Sequence, residues 1–185
     1  MAVSNLVTTG GLSTSDLVST PEWTLLGSYA TTSGASTISI SANATGYRKL
    51  RVWVPGISGS ASTVLRIQLN SNATNFYQTS TMGRYGSPAT NMNYIQNLYT
   101  AFTPQNQAFT TSQRAMLFDI ENAGNTGTKI ITGNCWYTAG SVSYAEDFMG
   151  SCPLGAIVTS IQFWAESGTL ATGNASYGIL VFGGK

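Results

Sequence analysis

The stretch that most constrains this chain is residues 157–185, IVTSIQFWAESGTLATGNASYGILVFGGK, in which two apolar runs flank a link rich in Gly, Ser, Thr and Asn. Short runs of β-branched and aromatic residues bounded by turn formers specify strands rather than a helix. A strand near a chain terminus is ordered only when neighbours hold it. The stretch therefore predicts a closing hairpin, with the C-terminus inside a sheet and Leu170, Ile179 and Val181 in the core.

The same signature recurs upstream. Residues 36–41 read STISIS, with Ile38 and Ile40 on one face. Residues 48–54 put Leu50, Val52 and Val54 on one side and Arg51 and Trp53 on the other. Leu65, Ile67 and Leu69 alternate with Arg66 and Gln68, which are read as outward, and Met116, Phe118 and Ile120 alternate with Leu117 and Asp119. Period-two alternation is the mark of a half-buried strand. With 23–30, 92–102, 128–139 and the two closing runs, the count is about nine strands and no long helix. Pro55-Gly56 and Ser58-Gly59-Ser60 read as turns. Residues 78–112 and 140–155 read mainly as loops, and long loops on β scaffolds are where binding surfaces are usually built. The expected fold is all-β, a two-sheet antiparallel β-sandwich (jelly roll) over residues 22–185. Residues 1–21, with Gly10-Gly11 and Pro21, read as an extended N-terminal arm, either held by a neighbouring subunit or lying back on its own domain.

Composition enters at the question of what the surface is for. Only 8% of the 185 residues are charged, against about 25% in an ordinary soluble domain. Ser, Thr, Asn and Gly carry the polar role, so little repulsion keeps copies apart. That suits a protein packed against other chains, although a Ser/Thr-rich β fold in solvent has the same composition. The net charge is +1, and Arg48, Lys49 and Arg51 form the one cationic cluster. Three cations are too few for binding driven by phosphate neutralisation, so no nucleic-acid partner is expected. They read as edge charges that discourage strand pairing. The first residues have no basic region followed by an apolar core, and no run reaches the roughly 18 apolar residues of a span. Cytosolic synthesis and no membrane partner are expected. Cys135 and Cys152 are then thiols where they are made, and whether they later bridge is open.

The chain contains no histidine. Ser-His-Asp and Cys-His nucleophilic machinery, a histidine general base and a closed Cys/His zinc site therefore have no residues to build them. Two acid pairs remain, Asp119 with Glu121 and Glu146 with Asp147, formally able to serve glycoside cleavage or calcium. Both read as solvated charges at a strand end or in a loop. The expectation is a non-enzyme with no catalytic, cofactor or metal residues. Aromatics supply the candidate site: Trp53, Tyr85, Tyr94, Trp136 and Trp164 are read as interface or ligand-facing. Desolvated Trp and Tyr are typical anchors of subunit contacts, and the same rings can stack on sugars.

The order of motifs resembles the small β-sandwich proteins of tailed-bacteriophage particles, of the capsid-decoration, head-fibre and tail-associated type. The similarity is carried by Trp23-Thr24-Leu25-Leu26, YRKLRVWV at 47–54, LRIQLN followed by Asn75-Phe76-Tyr77, LFDIENAGNTGTK, and Thr159-Ser160-Ile161 through the final SGTLATGNASYGILVFGGK. It covers roughly residues 22–77 and 113–185, and rests on the order of the motifs rather than on any one of them. The departures are residues 78–112 and Val181-Phe182-Gly183-Gly184, where the family more often has a Tyr-Gly pair. The resemblance implies a virion structural protein on the particle exterior, made in the host cytoplasm. Its partners would be copies of itself, as a homo-oligomer with a trimer favoured, and other virion proteins such as the major capsid protein. The alternative it implies is a tail-tip or fibre module that recognises a host glycan through residues 78–112.

Overall fold

The structure, a computed structural model, describes residues 22–61, 63–72, 77–85, 92–99, 101–102, 113–139, 142–172 and 178–185; for 77–85 and 92–99 it gives the course of the backbone. Among these residues there are twelve strands and no helix: β1 (Trp23–Tyr29), β2 (Thr37–Ser41), β3 (Lys49–Gly59), β4 (Leu65–Leu69), β5 (Tyr77–Tyr85), β6 (Met92–Tyr99), β7 (Arg114–Glu121), β8 (Lys129–Ala139), β9 (Val142–Cys152), β10 (Ser160–Ala165), β11 (Leu170–Thr172) and β12 (Ile179–Gly184). They form two antiparallel sheets, as the alternation requires. The larger runs β1-β12-β3-β7-β8-β9-β5-β6, with β11 also paired to β3, and the smaller runs β2-β10-β4.

The core lies between the sheets, where the predicted apolar positions meet. Leu50, Val52 and Val54 of β3, Met116, Phe118 and Ile120 of β7, and Ile161 and Phe163 of β10 are all buried. Phe118 stands 6.4 Å from Phe163 of the opposite sheet and 6.0 Å from Phe148, which is itself 5.2 Å from Phe102. These tilted ring pairs hold the layers together by area and by edge-to-face geometry. Gly133 makes room for this cluster, because a Cβ there would lie 2.4 Å from Phe118 Cβ. Leu170, Ile179 and Val181 are fully buried, as expected.

The closing hairpin is corrected. The two strands do not pair with each other: β10 lies between β2 and β4 in the small sheet, and β12 between β1 and β3 in the large one. The stretch 157–185 therefore stitches the two layers together. Local composition marks strands well, but partner choice depends on which neighbours complete each face. The C-terminus does lie inside a sheet.

Three strands exceed the expected nine, and each was hidden for a physical reason. β9 occupies the region read as the loop 140–155; its inward positions are Tyr144, Glu146, Phe148, Gly150 and Cys152, and a Glu and a Gly break the apolar count. β5 falls within 78–112, where Gly83 and short polar residues mask the period. β11 is three residues long. The turn assigned at Pro55-Gly56 is also a correction, since β3 continues to Gly59. A register shift between Val54 and Ile57 in its pairing with β7 absorbs Pro55, which has no N–H to donate. Residues 1–21, read as an arm, lie outside the described residues.

Candidate docking face on the large sheet

Each strand of the large sheet turns one side to the core and the other outward, and the pairing register lays the outward residues in rows. Leu180, Trp53, Leu117, Asn134 and Asp147 face each other in succession across β12, β3, β7, β8 and β9. The next row is Phe182, Arg51, Asp119, Thr132 and Met149, and on the other side Ala115, Trp136 and Ala145 line up. Among the described residues the large hydrophobic side chains left exposed are Leu25 (55%), Trp53 (53%), Ile130 (40%), Trp136 (43%) and Met149 (56%). All five belong to strands of the large sheet and alternate with its inward residues.

Trp53 and Trp136 are two strands and two residues apart, which at about 4.8 Å per strand and 3.3 Å per residue places their backbones about 12 Å apart. Between them is a slot of ≈ 320 Å³ lined by Trp53, Val54, Pro55, Ala115, Met116, Leu117 and Trp136. Its lining is apolar. A shallow depression of ≈ 390 Å³ adjoins it, lined by Arg51, Asp119, Thr132, Asn134 and Asp147 over Leu117, Phe118, Gly133 and Phe148. The polar groups here are already engaged. Arg51 donates through Nε and Nη2 to the two oxygens of Asp119, both at 2.7 Å, a bidentate geometry that fixes orientation. Hydrogen bonding to Asp119 raises the Arg51 pKa still further, so its charge is permanent. The Asn134 amide donates to Asp147. Arg51 and Lys49 also lie over the Trp23 ring, at 4.4 and 5.0 Å. The cationic cluster therefore occupies a central strand and not an edge, and that expectation is corrected.

The predicted site residues separate. Trp53 and Trp136 are brought together on this face. Trp164 sits on β10 of the small sheet, opposite Thr37 and Arg66, half buried and with its indole Nε1 buried without a hydrogen-bond partner. It belongs to the other layer. Tyr85 lies on β5, paired with Tyr144, and Tyr94 on β6, paired with Thr81; their side chains are outside what is described. Neither residue is in a loop. Arg66 and Gln68 have the outward parity read for them in β4, yet they are buried, at 9% and 8% exposure. Arg66 is ion-paired with Glu166. Leu25, Leu117, Ile130 and Met149 were missed by sequence reasoning. Their outward parity was readable in their strands, but the order of strands that makes them neighbours was not.

The acid pairs resolve differently. Asp119 is held by Arg51, while Glu121 is exposed at the end of β7. Glu146 and Asp147 lie on β9 and point to opposite faces, so they do not converge on one ion. Glu146 is 1% exposed and accepts a 2.9 Å bond from the Tyr137 hydroxyl, while its second oxygen has no partner. Burial raises its pKa, offset in part by Tyr137 and then Arg114. The Arg114 guanidinium lies 3.8 Å over the Tyr137 ring, which stacks on Tyr144 at 4.8 Å. Lys129, fully buried, donates to the carbonyls of Asn125 and Gly127, and burial lowers its pKa.

Both cysteines are free and buried. Cys152 pairs with Lys129, six residues along β8 from Cys135, which puts the two about 20 Å apart. A disulfide needs Cα atoms within about 7 Å, so register settles the question left open by spacing. Burial pushes the Cys135 thiol up to about 12, away from reactivity.

No protein-family model, no curated protein and no solved structure matches the chain.

Proposed function

We propose that this chain is a non-enzymatic structural protein of a tailed-phage particle, a capsid cement or decoration subunit that docks through the outer face of its large sheet. One observation carries the reading: the five exposed large hydrophobics all hold outward positions on one sheet, and two of them, Trp53 and Trp136, flank a single apolar slot. Large apolar groups left exposed on one face mark interaction surfaces, and aromatic residues and Met are enriched in such surfaces. Arg51 and Asp119 are paired with each other in advance, which lowers the cost of desolvating them when a partner covers them. The low charge content and the lack of histidine fit a chain selected for contact rather than for catalysis. The virion assignment rests on the order of strand motifs resembling tailed-phage β-sandwich proteins.

The test has two levels. Mass spectrometry and labelled electron microscopy of purified particles should find the chain on the capsid exterior; confinement to the tail, or absence, defeats the decoration reading. In solution, Trp53→Ser combined with Trp136→Ser should weaken assembly at least about thirtyfold, the effect of one interface hot spot, with the fold retained.

A second reading has its own support. The polar depression next to two exposed Trp rings has the elements of a glycan site, an aromatic platform beside Asp, Asn and Arg. A receptor-binding module would give micromolar binding on a glycan array that is lost in Trp136→Ala. Loss in Tyr94→Ala instead would move that site to β6.

A further inference from the structure

We infer that the slot between Trp53 and Trp136 seats the N-terminal segment, residues 1–21, of a neighbouring copy of this chain. The inference rests on the docking-face reading and names the occupant. The lining of the slot is predominantly apolar, so it accepts aliphatic side chains. A sugar hydroxyl placed there would lose its hydrogen bonds without replacement. The polar groups nearest to it, Arg51 with Asp119 and Asn134 with Asp147, already satisfy one another.

The segment has the matching chemistry. It carries Leu6, Val7, Leu12, Leu17 and Val18, with Asp16 as its one ionisable side chain. Fully extended, it reaches up to about 70 Å, enough to cross to another subunit. Direction argues for a neighbour rather than the same chain. β1 and β3 both run antiparallel to β12, so they run the same way, and Trp23 aligns through Gly184 with Lys49. The chain thus enters β1 from beyond the Lys49 end of the sheet, about 13 Å short of the Trp53 row. To fill its own slot the segment would have to reverse and cross β12 and β3.

The experiment uses full-length chains. One carries a single introduced cysteine in the segment, at Leu6, Leu12 or Leu17; the other, with a tag of different mass, carries Ala115→Cys in the slot. Cys135 and Cys152 are buried and serve as the silent background. Mild oxidation should give a disulfide between the two chains at one or more positions, and Trp136→Ser in the slot chain should abolish it. No cross-chain product at any position, or a product indifferent to Trp136→Ser, overturns the inference. Deleting residues 2–19 gives a second arm: the domain should stay folded by circular dichroism and assemble at least about thirtyfold more weakly. If the Trp53→Ser, Trp136→Ser pair disrupts assembly and the deletion does not, the occupant is wrong and the docking face stands. If neither affects assembly, both readings fall. A deletion that unfolds the domain assigns the segment to its own core and also overturns the inference.

Discussion

The two outward faces of this sandwich obey the same alternation and carry opposite chemistry. On the small sheet the outward positions of β2 are Thr37, Ser39 and Ser41, all exposed; β10 adds Ser160, Gln162 and the half-buried Trp164, which stands beside Arg66 of β4. On the large sheet the corresponding positions hold Leu25, Trp53, Leu117, Ile130, Trp136 and Met149, several of them about half exposed. Short hydroxyl side chains on one face satisfy themselves with water. Large apolar groups on the other remain unsatisfied until something covers them. A chain with 8% charged residues thus carries one mainly polar outer face and one on which its large exposed hydrophobics are gathered.

Four substitutions test the difference between the two faces and the layer that joins them. The largest effect belongs to the layer between the faces. Phe163→Ala removes the ring that β10 sets against Phe118 and should lower unfolding free energy by about 3–5 kcal/mol in urea titration. A loss below about 1 kcal/mol would mean that the small sheet is not packed as described.

Next is Glu146, whose unpartnered oxygen lies on the inner side of the large sheet. Its pKa in the folded state is raised above the ordinary carboxylate value of 4.5, so the folded state favours the protonated acid. Stability from this group is fully present below that ordinary value and is lost as pH rises through the raised one. The wild type should therefore become less stable across this interval, whereas Glu146→Gln, which keeps an acceptor for Tyr137, should be flatter with pH and more stable at the alkaline end, by about 1–3 kcal/mol. Urea unfolding from pH 4.5 to 8 decides it, and parallel pH profiles for the two proteins would refute the burial argument.

Asp119→Asn touches the docking face itself. The Arg51–Asp119 pair is partly exposed, with side-chain exposures of 38% and 19%, so its loss should cost less than about 1 kcal/mol of stability. It leaves Arg51 uncompensated on the face, however, and should weaken assembly more than it weakens the fold. Sedimentation velocity alongside denaturation separates the two. The smallest effect is expected from Ser39→Ala on the small sheet, within about 0.5 kcal/mol and without change in assembly. A clear assembly defect there would erase the distinction between the faces.

Alternation alone marked β2, β3, β4 and β7 and the core residues Leu170, Ile179 and Val181, because each strand's inward residues are apolar whatever partner it has. It failed at β9, where Glu146 stands at an inward position held by Tyr137, and at Pro55, where a register shift absorbs a residue that reads as a turn. Both are places where a distant neighbour compensates a local violation. The candidate site was legible as separate exposed tryptophans and not as a surface. Trp53 and Trp164 looked equivalent in their strands, and the allocation of β3 and β10 to different sheets put them on opposite outsides of the molecule.

By itself, then, the sequence determined strand character, inward and outward parity and the want of histidine chemistry, since these follow from residue type and a two-residue period. Only the tertiary structure decided that residues 157–185 bridge two sheets instead of forming a hairpin, that Cys135 and Cys152 sit far apart, and that Trp53 and Trp136 flank one slot. These depend on strand order and register, which are set by non-local pairing and have no counterpart in local spacing.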